Sequence, residues 1–202
     1  MLFSTIIFDW GGVFCSPGNP YSHPRLQERA GKSANEIARL PEMKALSEPY
    51  YRGQITAKQF WRGVLSLLGI TGMNEEELTA AYLDSYTLSP EMLDWPVRLR
   101  QHYRVGLLSN LTNEMMGHVL KEHHLRARFD ELVFSNEVGL VKPDREIYKL
   151  IMQRMNTCPE ECIFVDDSQE NIAAAETLGM KGIHFLSPEQ FEEELGKVIA
   201  TP

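Results

Sequence analysis

The chain has few cysteines and no surplus of positive charge, and both shortages argue against whole classes of protein. Its 202 residues include three cysteines, Cys15, Cys158 and Cys162, and neither their odd number nor their spacing suits a disulfide framework. Cys158 and Cys162 also lack the second pair or the histidines that a zinc site requires. The net charge of -8 argues against a nucleic-acid-binding protein, because no basic surplus can neutralise phosphates.

Long hydrophobic runs are missing as well. No apolar stretch approaches the roughly 20 residues needed to span a bilayer. The N-terminal segment MLFSTIIFDW carries no basic residue, and its apolar run stops at Asp9, which is typical of a strand rather than of a signal peptide. We therefore expect reduced thiols, a cytoplasmic location, and neither a membrane nor a nucleic-acid partner, with the oligomeric state left open.

Short, nearly continuous apolar runs predict buried parallel strands. A sheet covered by helices on both faces produces such continuous runs, whereas a half-exposed sheet produces alternation. Helical segments separate the later runs, with N-caps predicted at Ser89 and Ser187. This alternation predicts an α/β fold with a doubly wound parallel sheet. The predicted strands are Phe3–Phe8, Arg104–Leu108, Glu131–Phe134, Cys162–Val165 and Gly182–Phe185.

One long segment between the first two strands interrupts the alternation. It contains no convincing strand but two capping-box patterns, Ser33–Glu36 and Thr56–Gln59, which are typical of helix N-termini. Apolar residues after the second pattern recur at helical spacing. We therefore predict a helical cap at residues 16–87, inserted after the first strand of an α/β core that comprises residues 1–15 and 88–202.

Polar residues follow the predicted strands at the edge of the sheet where functional groups gather in such folds. Clustered carboxylates repel one another unless a cation lies among them, and oxygen ligands without histidine or thiolate favour Mg²⁺. A serine hydroxyl and a lysine ammonium nearby would hold the oxygens of a transferring phosphoryl group, which a carboxylate nucleophile can accept covalently. The residues concerned are Asp9, Ser109 with Asn110, Lys142, and Asp166 with Asp167.

These four motifs, in this order, resemble those of the haloacid dehalogenase superfamily, whose members are mostly Mg²⁺-dependent phosphatases. The resemblance covers essentially the whole chain. The segments LSN, GLVKPD and DDSQENI are most similar to the branch of α-glucose-1-phosphate phosphatase and the N-terminal phosphatase domain of soluble epoxide hydrolase. It implies a Rossmann-like core with a cap, and hydrolysis of a small phosphorylated metabolite, such as a sugar phosphate, through an aspartyl-phosphate.

The resemblance also implies roles for single residues. It makes Asp9 the nucleophile and a metal ligand, and it places Asp166 at the metal through a water molecule. The full assignment is Asp9, Ser109 and Lys142 as catalytic, Ser109, Asn110 and Lys142 as substrate-binding, and Asp9, the carbonyl of Gly11, Asp166 and Asp167 as Mg²⁺ ligands.

Gly11 departs from the common pattern of this superfamily, in which a second aspartate two residues after the nucleophile protonates the leaving oxygen. Such a general acid–base is typically worth about 10²–10⁴-fold in rate. Three interpretations follow: a slow phosphatase, a phosphatase for substrates with good leaving groups, or a phosphoryl-binding protein without turnover. We favour the first two, because the branch with glycine at this position includes active phosphatases.

Other possibilities concern the reaction and the cap. A 2-haloacid dehalogenase, in which Asp9 would attack carbon without a metal, is an alternative, but Asp166 and Asp167 would repel its carboxylate substrate. The core of the cap is assigned to Met43, Leu46, Trp61 and Tyr82. A zinc site is the alternative for one histidine cluster, which is assigned to a solvated helix face: His118, Glu122, His123 and His124. Substrate specificity is expected to come from the cap, with His23 as the candidate proton donor. The candidate side chains are Tyr21, His23, Tyr50, Tyr51, Arg52 and Trp61.

Overall fold

A parallel sheet occupies the centre of the molecule. The computed structural model describes residues 3–16 and 18–199, and within them the strands are β1 (Thr5–Phe8), β2 (Arg104–Ser109), β3 (Glu131–Phe134), β4 (Cys162–Asp166) and β5 (Lys181–His184). Their order in the sheet is β3–β2–β1–β4–β5, and all the pairings are parallel. The predicted α/β class is confirmed, and β1 lies in the middle, so its carboxyl end adjoins those of β2 and β4.

The strand bounds differ slightly from the predicted ones, except in β3. β1 begins at Thr5 rather than at Phe3, because its pairing with both neighbours begins at Thr5. β2 and β4 extend one residue further than predicted, to Ser109 and Asp166, since each of these residues still pairs with the adjacent strand. Both polar residues therefore occupy the last strand position rather than a loop, which fixes where their side chains lie.

Helices account for most of the remaining chain. Between β1 and β2 lie α1 (Pro24–Ala30), α2 (Ala34–Ala38), α3 (Met43–Tyr51), α4 (Ala57–Leu67), α5 (Glu75–Leu83) and α6 (Pro90–Leu99). After β2 come α7 (Asn113–His123), α8 (Leu125–Arg128), α9 (Ser135–Val138), α10 (Arg145–Arg154), α11 (Gln169–Glu176) and α12 (Pro188–Ile199). In the part of the chain that the structure describes, no helix has the length and apolar character to cross a bilayer.

Helices pack on both faces of the sheet, as a doubly wound arrangement requires. On one face, Tyr148 of α10 meets Phe164 of β4 edge to face, with ring centroids 5.4 Å apart. On the other, Phe191 of α12 meets Phe8 of β1 at 5.6 Å. Both faces of the central strands are buried, which explains their continuous apolar sequence.

The predicted helix caps are only partly right. Ser33 and Thr56 form complete capping boxes, as predicted. Ser89 occupies the N-cap position of α6, but its side chain makes no capping hydrogen bond. Ser187 accepts from the backbone N–H of Gln190 at 3.2 Å, whereas the Gln190 side chain accepts from the N–H of the residue before Ser187. The box at the start of α12 is therefore half formed.

The segment predicted as a cap begins and ends at one place on the core. The N–H of Ser16 donates to the carbonyl of Thr87 at 2.7 Å, and the Ser16 hydroxyl accepts from the N–H of Thr87 at 2.8 Å. Helices α1–α5 leave the sheet and return to it through this pair. Their apolar residues form one hydrophobic cluster with a face of the sheet, and the division into core and cap at these residues remains a prediction.

Candidate active site

The predicted polar residues meet around one cavity at the carboxyl ends of β1 and β2. Its volume is about 150 Å³, and its lining includes Asp9, Gly11, Ser109, Asn110 and Lys142. The fold brings them together because neighbouring parallel strands end at the same edge of the sheet. Carboxylate oxygens from Asp9, Asp166 and Asp167 also lie within 4.8 Å of one another.

Asp9 is held at the floor of this cavity. Its carboxylate accepts from the backbone N–H of Trp10 at 2.7 Å and from Nζ of Lys142 at 2.8 Å, and 8% of the residue is exposed. Burial raises the pKa of Asp9 to about 6; Lys142 and Ser109 oppose this rise, and Asp166 adds to it. A positive charge in the cavity would restore the ionised form that a nucleophile requires.

Lys142 joins two of the acids. Its ammonium lies 2.8 Å from Asp9 Oδ1 and 2.6 Å from Asp166 Oδ2. Burial alone would lower the pKa of Lys142, but the two carboxylates raise it above the ordinary value. The lysine is therefore a fixed positive charge at the cavity wall, suited to bind the oxygens of a phosphoryl group.

Asp166 has its oxygens occupied by protein donors. Besides Lys142, it accepts from the N–H of Ser168 at 2.8 Å and from the amide of Asn171 at 3.1 Å. It is fully buried. These contacts fix the position of the lysine ammonium, and the role predicted for Asp166 at a metal stays a prediction.

Asp167 is the exposed member of the three acids. Burial of its carboxylate and the neighbouring Asp166 raise the pKa of Asp167, and Lys142 opposes them. The turn after β1 is shaped around this side chain: Gly12 has φ +77°, and a Cβ on it would lie 2.0 Å from the carboxylate carbon of Asp167. Only glycine allows the two loops to approach so closely.

The end of β2 brings Ser109 and the following Asn110 to the site. Ser109 is 2% exposed, lines the cavity and lowers the pKa of Asp9. The side chain of Asn110 donates to the carbonyl of Lys142 at 3.0 Å and accepts from its N–H at 2.9 Å. The predicted substrate-binding role of Asn110 therefore rests on its place in the lining, since its side-chain amide holds the lysine loop in position.

The acids and the lysine suit a divalent cation. Three carboxylates and one ammonium leave an excess of two negative charges in a partly buried site. Such an excess is costly without a counter-ion, and a donor set of oxygens without histidine or thiolate favours Mg²⁺. Asp9, Asp167 and the carbonyl of Gly11 would hold the ion.

The thiol of Cys15 also lines the cavity, but it is unreactive at neutral pH. Burial raises the pKa of Cys15 to about 12, with Asp9 and Asp167 contributing. A thiol with this pKa is not ionised at neutral pH, and only the thiolate is a strong nucleophile. Asp9 is the better nucleophile in this cavity.

Tyrosines of the segment predicted as a cap line the cavity, although the sequence did not single them out together. Tyr51 was a candidate and does line the cavity, as do Tyr82, which was assigned to the cap core, and Tyr86. Among the described residues that line it, neither His23 nor Trp61 is found. Trp61 is fully buried in the hydrophobic cluster, which confirms its assignment to the core and removes it from the substrate-binding candidates.

Tyr86 is linked to a histidine that was expected on a solvated face. Its hydroxyl lies 2.6 Å from Nε2 of His123, and the imidazole stacks on Trp10 at 5.5 Å between centroids. Burial lowers the pKa of His123. The prediction for this residue was wrong, because the end of α7 packs against Trp10, which follows Asp9, and His123 is half-buried there.

Direct contacts hold the cap against the core. The Arg52 guanidinium lies 2.8 Å from the carboxylate of Asp144 and donates to the carbonyl of Gly139 at 2.9 Å. Ser135 donates to the backbone carbonyl of Tyr51 at 2.7 Å. Arg52 was a candidate for substrate binding, but its guanidinium is paired with Asp144 and the carbonyl of Gly139.

Comparison with known proteins finds a family of hydrolases and several named phosphatases that are similar to this chain. The family model for haloacid dehalogenase-like hydrolases matches residues 3–179. Sesquiterpene phosphatase astK of Aspergillus oryzae is 27% identical over 186 residues, which cover 90% of this chain and 89% of that protein. D-ribitol-5-phosphate phosphatase of Bacteroides thetaiotaomicron is 23% identical over 205 residues, with 98% and 99% coverage.

Two longer proteins match over a part of their length. The chain spans 37% of Drimenol cyclase drtB of Aspergillus calidoustus at 21% identity. A stretch of 77 residues, 38% of this chain and 14% of the other, is 35% identical to bifunctional epoxide hydrolase 2 of Rattus norvegicus, in agreement with the resemblance seen in the motifs.

A solved structure agrees with the fold. The Asp12Ala mutant of a HAD family enzyme from Bacteroides thetaiotaomicron, in complex with magnesium and inorganic phosphate, superposes with a TM-score of 0.82 at 22% identity. The alignment covers 96% of this chain and 98% of that one.

Proposed function

The chain belongs to the haloacid dehalogenase-like hydrolase family, and we propose that it is a Mg²⁺-dependent phosphatase that hydrolyses a small phosphate monoester through an aspartyl-phosphate on Asp9. The observation that carries this proposal is the cavity itself. A buried carboxylate, a buried ammonium and a serine hydroxyl converge there, beside two further acids.

The first step transfers the phosphoryl group to the protein. The Asp9 carboxylate attacks phosphorus, the new O–P bond forms as the bond to the leaving oxygen breaks, and that oxygen departs with the electron pair. Lys142 and Ser109 hold the phosphoryl oxygens during transfer. Water then attacks the aspartyl-phosphate, which releases inorganic phosphate and restores the Asp9 carboxylate.

The metal and the remaining acids support this step. Asp9, Asp167 and the Gly11 carbonyl would hold Mg²⁺, which would supply positive charge to neutralise the phosphoryl oxygens. Asp166 fixes the ammonium of Lys142 through the 2.6 Å contact. Because its other partners are protein donors, it has no need to contact the substrate.

No carboxylic acid is present at position 11 to donate a proton to the leaving oxygen. We therefore propose that the substrate is one whose leaving group departs with little protonation, or that turnover is slow. Tyr86 lies in the lining of the same cavity and is one alternative donor, and burial raises its pKa, which makes it a weaker acid than an ordinary phenol.

The relatives support a phosphorylated metabolite as substrate. Sesquiterpene phosphatase astK and D-ribitol-5-phosphate phosphatase are named for organic phosphates of small size. The structure from Bacteroides thetaiotaomicron contains magnesium and inorganic phosphate together. Both phosphatase names specify a phosphate ester, but they differ in the alcohol to which the phosphate is attached.

Hydrolysis of 4-nitrophenyl phosphate and of a panel of metabolite phosphates, with and without Mg²⁺, tests the proposal. We expect phosphate release that requires the metal and that Asp9→Asn abolishes. Metal-independent release of halide from a 2-haloacid by Asp9 would instead identify a dehalogenase. Phosphate binding without any release would identify a phosphoryl-binding protein.

A further inference from the structure

A second cavity lies inside the cap, beside the one that contains Asp9. Its volume is about 240 Å³. Gly18, Tyr51 and Tyr82 line both cavities, so these three residues form the boundary between them. The second cavity therefore adjoins the catalytic one, and among its described lining residues neither Ser109 nor Lys142 is found.

The walls of this cap cavity are mostly aromatic and aliphatic. Pro20, Tyr21, Met43, Tyr50 and Phe60 contribute to its lining, and Tyr50 stacks on Phe60 with centroids 4.5 Å apart. Among the described residues of the lining none carries a charge. Such walls favour an apolar occupant over a polyhydroxylated one.

Several polar atoms in the lining already have protein partners. The hydroxyl of Tyr50 donates to Glu114 at 2.8 Å, and that of Ser47 donates to the carbonyl of Met43 at 2.8 Å. The side-chain oxygen of Asn19 accepts from the N–H of Tyr21 at 2.9 Å. These groups are thus less available to the hydroxyls of a sugar, since a second partner would have to displace the first.

The volume of the cap cavity limits the size of the alkyl or aryl group of a substrate that could enter it. An apolar protein cavity of about 150 Å³ is enough to hold a benzene molecule. The cap cavity exceeds that volume, so an alkyl or aryl group of roughly six to ten carbons is a reasonable occupant.

We propose that the leaving alcohol of the physiological substrate carries an apolar chain, which passes Tyr51 and Tyr82 and is bound in the cap cavity. This inference rests on the proposed phosphatase function and specifies its substrate class as a phosphate monoester of an apolar alcohol. The phosphoryl group binds at Lys142 and Ser109, and the apolar part adds affinity through burial.

Binding of n-alkylphosphonates in the presence of Mg²⁺, measured by calorimetry, tests the inference without requiring turnover. Burial of each methylene should tighten binding by about three- to fourfold from methylphosphonate upward, until the cavity is filled. The affinity should then stop rising at roughly six to ten carbons.

Variants in the cap cavity separate its role from that of the catalytic cavity. Ser47→Leu and Ala38→Leu place apolar volume in its lining, on different helices, so a folding defect in one leaves the other to be measured. Both should weaken binding of the longest phosphonates at least tenfold and leave methylphosphonate unchanged. Ser47→Ala, which removes the hydroxyl without filling space, is the matched control and should behave as the wild type.

The outcomes distinguish the two proposals. Hydrolysis of short phosphate esters together with affinities that do not depend on chain length would overturn the apolar subsite and leave the phosphatase in place. Equal chain-length gains in the wild type and in both filled variants would overturn it as well, as would the absence of binding by any phosphonate. Chain-dependent binding of phosphonates without hydrolysis of 4-nitrophenyl phosphate or of any other aryl phosphate would support the subsite and overturn the phosphatase.

Discussion

Restoring a carboxylate at position 11 should change how the rate depends on the leaving group. The structure has room for it: a Cβ on Gly11 meets no atom within 4 Å, and Gly11 is not among the glycines with left-handed φ. The adjacent Gly12 is the opposite case, with φ +77° and a Cβ that would collide with Asp167. Gly11→Asp should therefore fold without strain, with its side chain on the wall of the catalytic cavity.

The expected gain follows from general acid catalysis and from the charge of the site. A well-placed general acid contributes about 10²–10⁴-fold. The new carboxylate would join Asp9, Asp166 and Asp167, and like charges nearby favour its protonated form, as a donor requires. They also add repulsion toward a phosphate dianion, so we expect the lower end, up to about 10²-fold, for the poorest leaving groups.

The assay is a series of aryl phosphates whose phenols differ in acidity, with kcat and kcat/KM measured in saturating Mg²⁺. In the wild type, the logarithm of the rate should fall steeply as the phenol becomes a weaker acid, because position 11 donates no proton. In Gly11→Asp the slope should flatten, with little change for the best leaving groups.

Two controls make the result interpretable. Gly11→Ala tests the loss of glycine alone, and Gly11→Asn adds a side chain of the same shape that is not an acid; neither should flatten the slope. The reasoning fails if poor and good leaving groups already react at one chemical rate in the wild type. Another group would then supply the proton, and Tyr86, with its contact to His123, would be the first to replace.

Three further outcomes test the site and the cap. Asp9→Asn should reduce turnover below about 10⁻³ of the wild type, because the amide does not form the covalent intermediate; near-normal turnover would refute the mechanism. Asp167→Asn should raise the Mg²⁺ concentration for half-maximal activity at least tenfold, and an unchanged titration would remove it from the ligand set. Arg52→Ala should lower the free energy of unfolding by about 1–2 kcal/mol, because it loses charge-assisted hydrogen bonds to the core, including that to Asp144 at 2.8 Å. The exposed Arg62→Ala, whose ion pair lies within the cap, should change it by less than about 0.5 kcal/mol, and equal losses in thermal or urea unfolding would contradict the assigned contact.

The sheet and the acidic cluster could be predicted from the sequence because their signals are local. One continuous apolar run stops at Asp9 and another stops at Asp166, which indicates where the two strands end. The rule that parallel strands end at one edge then brings these carboxylates together. The 4.8 Å grouping of the three acids follows from local pattern and topology without any knowledge of side-chain packing.

The tyrosines that line the cavity could not be predicted in the same way. Tyr51, Tyr82 and Tyr86 lie on or beside different cap helices, and which of their faces meets Asp9 depends on how those helices pack. Packing is decided by contacts between residues distant in the chain, such as the hydrogen bond from Ser135 to the carbonyl of Tyr51. Periodicity shows that a helix has an apolar face, but it does not say whether that face lines a core or a cavity.

The glycine at position 11 and the cap cavity restrict the substrate in independent ways. The first acts on the leaving oxygen and selects for an acidic alcohol, because no carboxylic acid at that position protonates it. The second acts on the remainder of the leaving group and selects for apolar volume. A series of phosphonates varies chain length without a leaving group, and a series of unbranched aryl phosphates varies acidity at nearly constant size. Each restriction can therefore be measured without the other, and a phosphate ester of an acidic, apolar alcohol is the one chemical class that satisfies both.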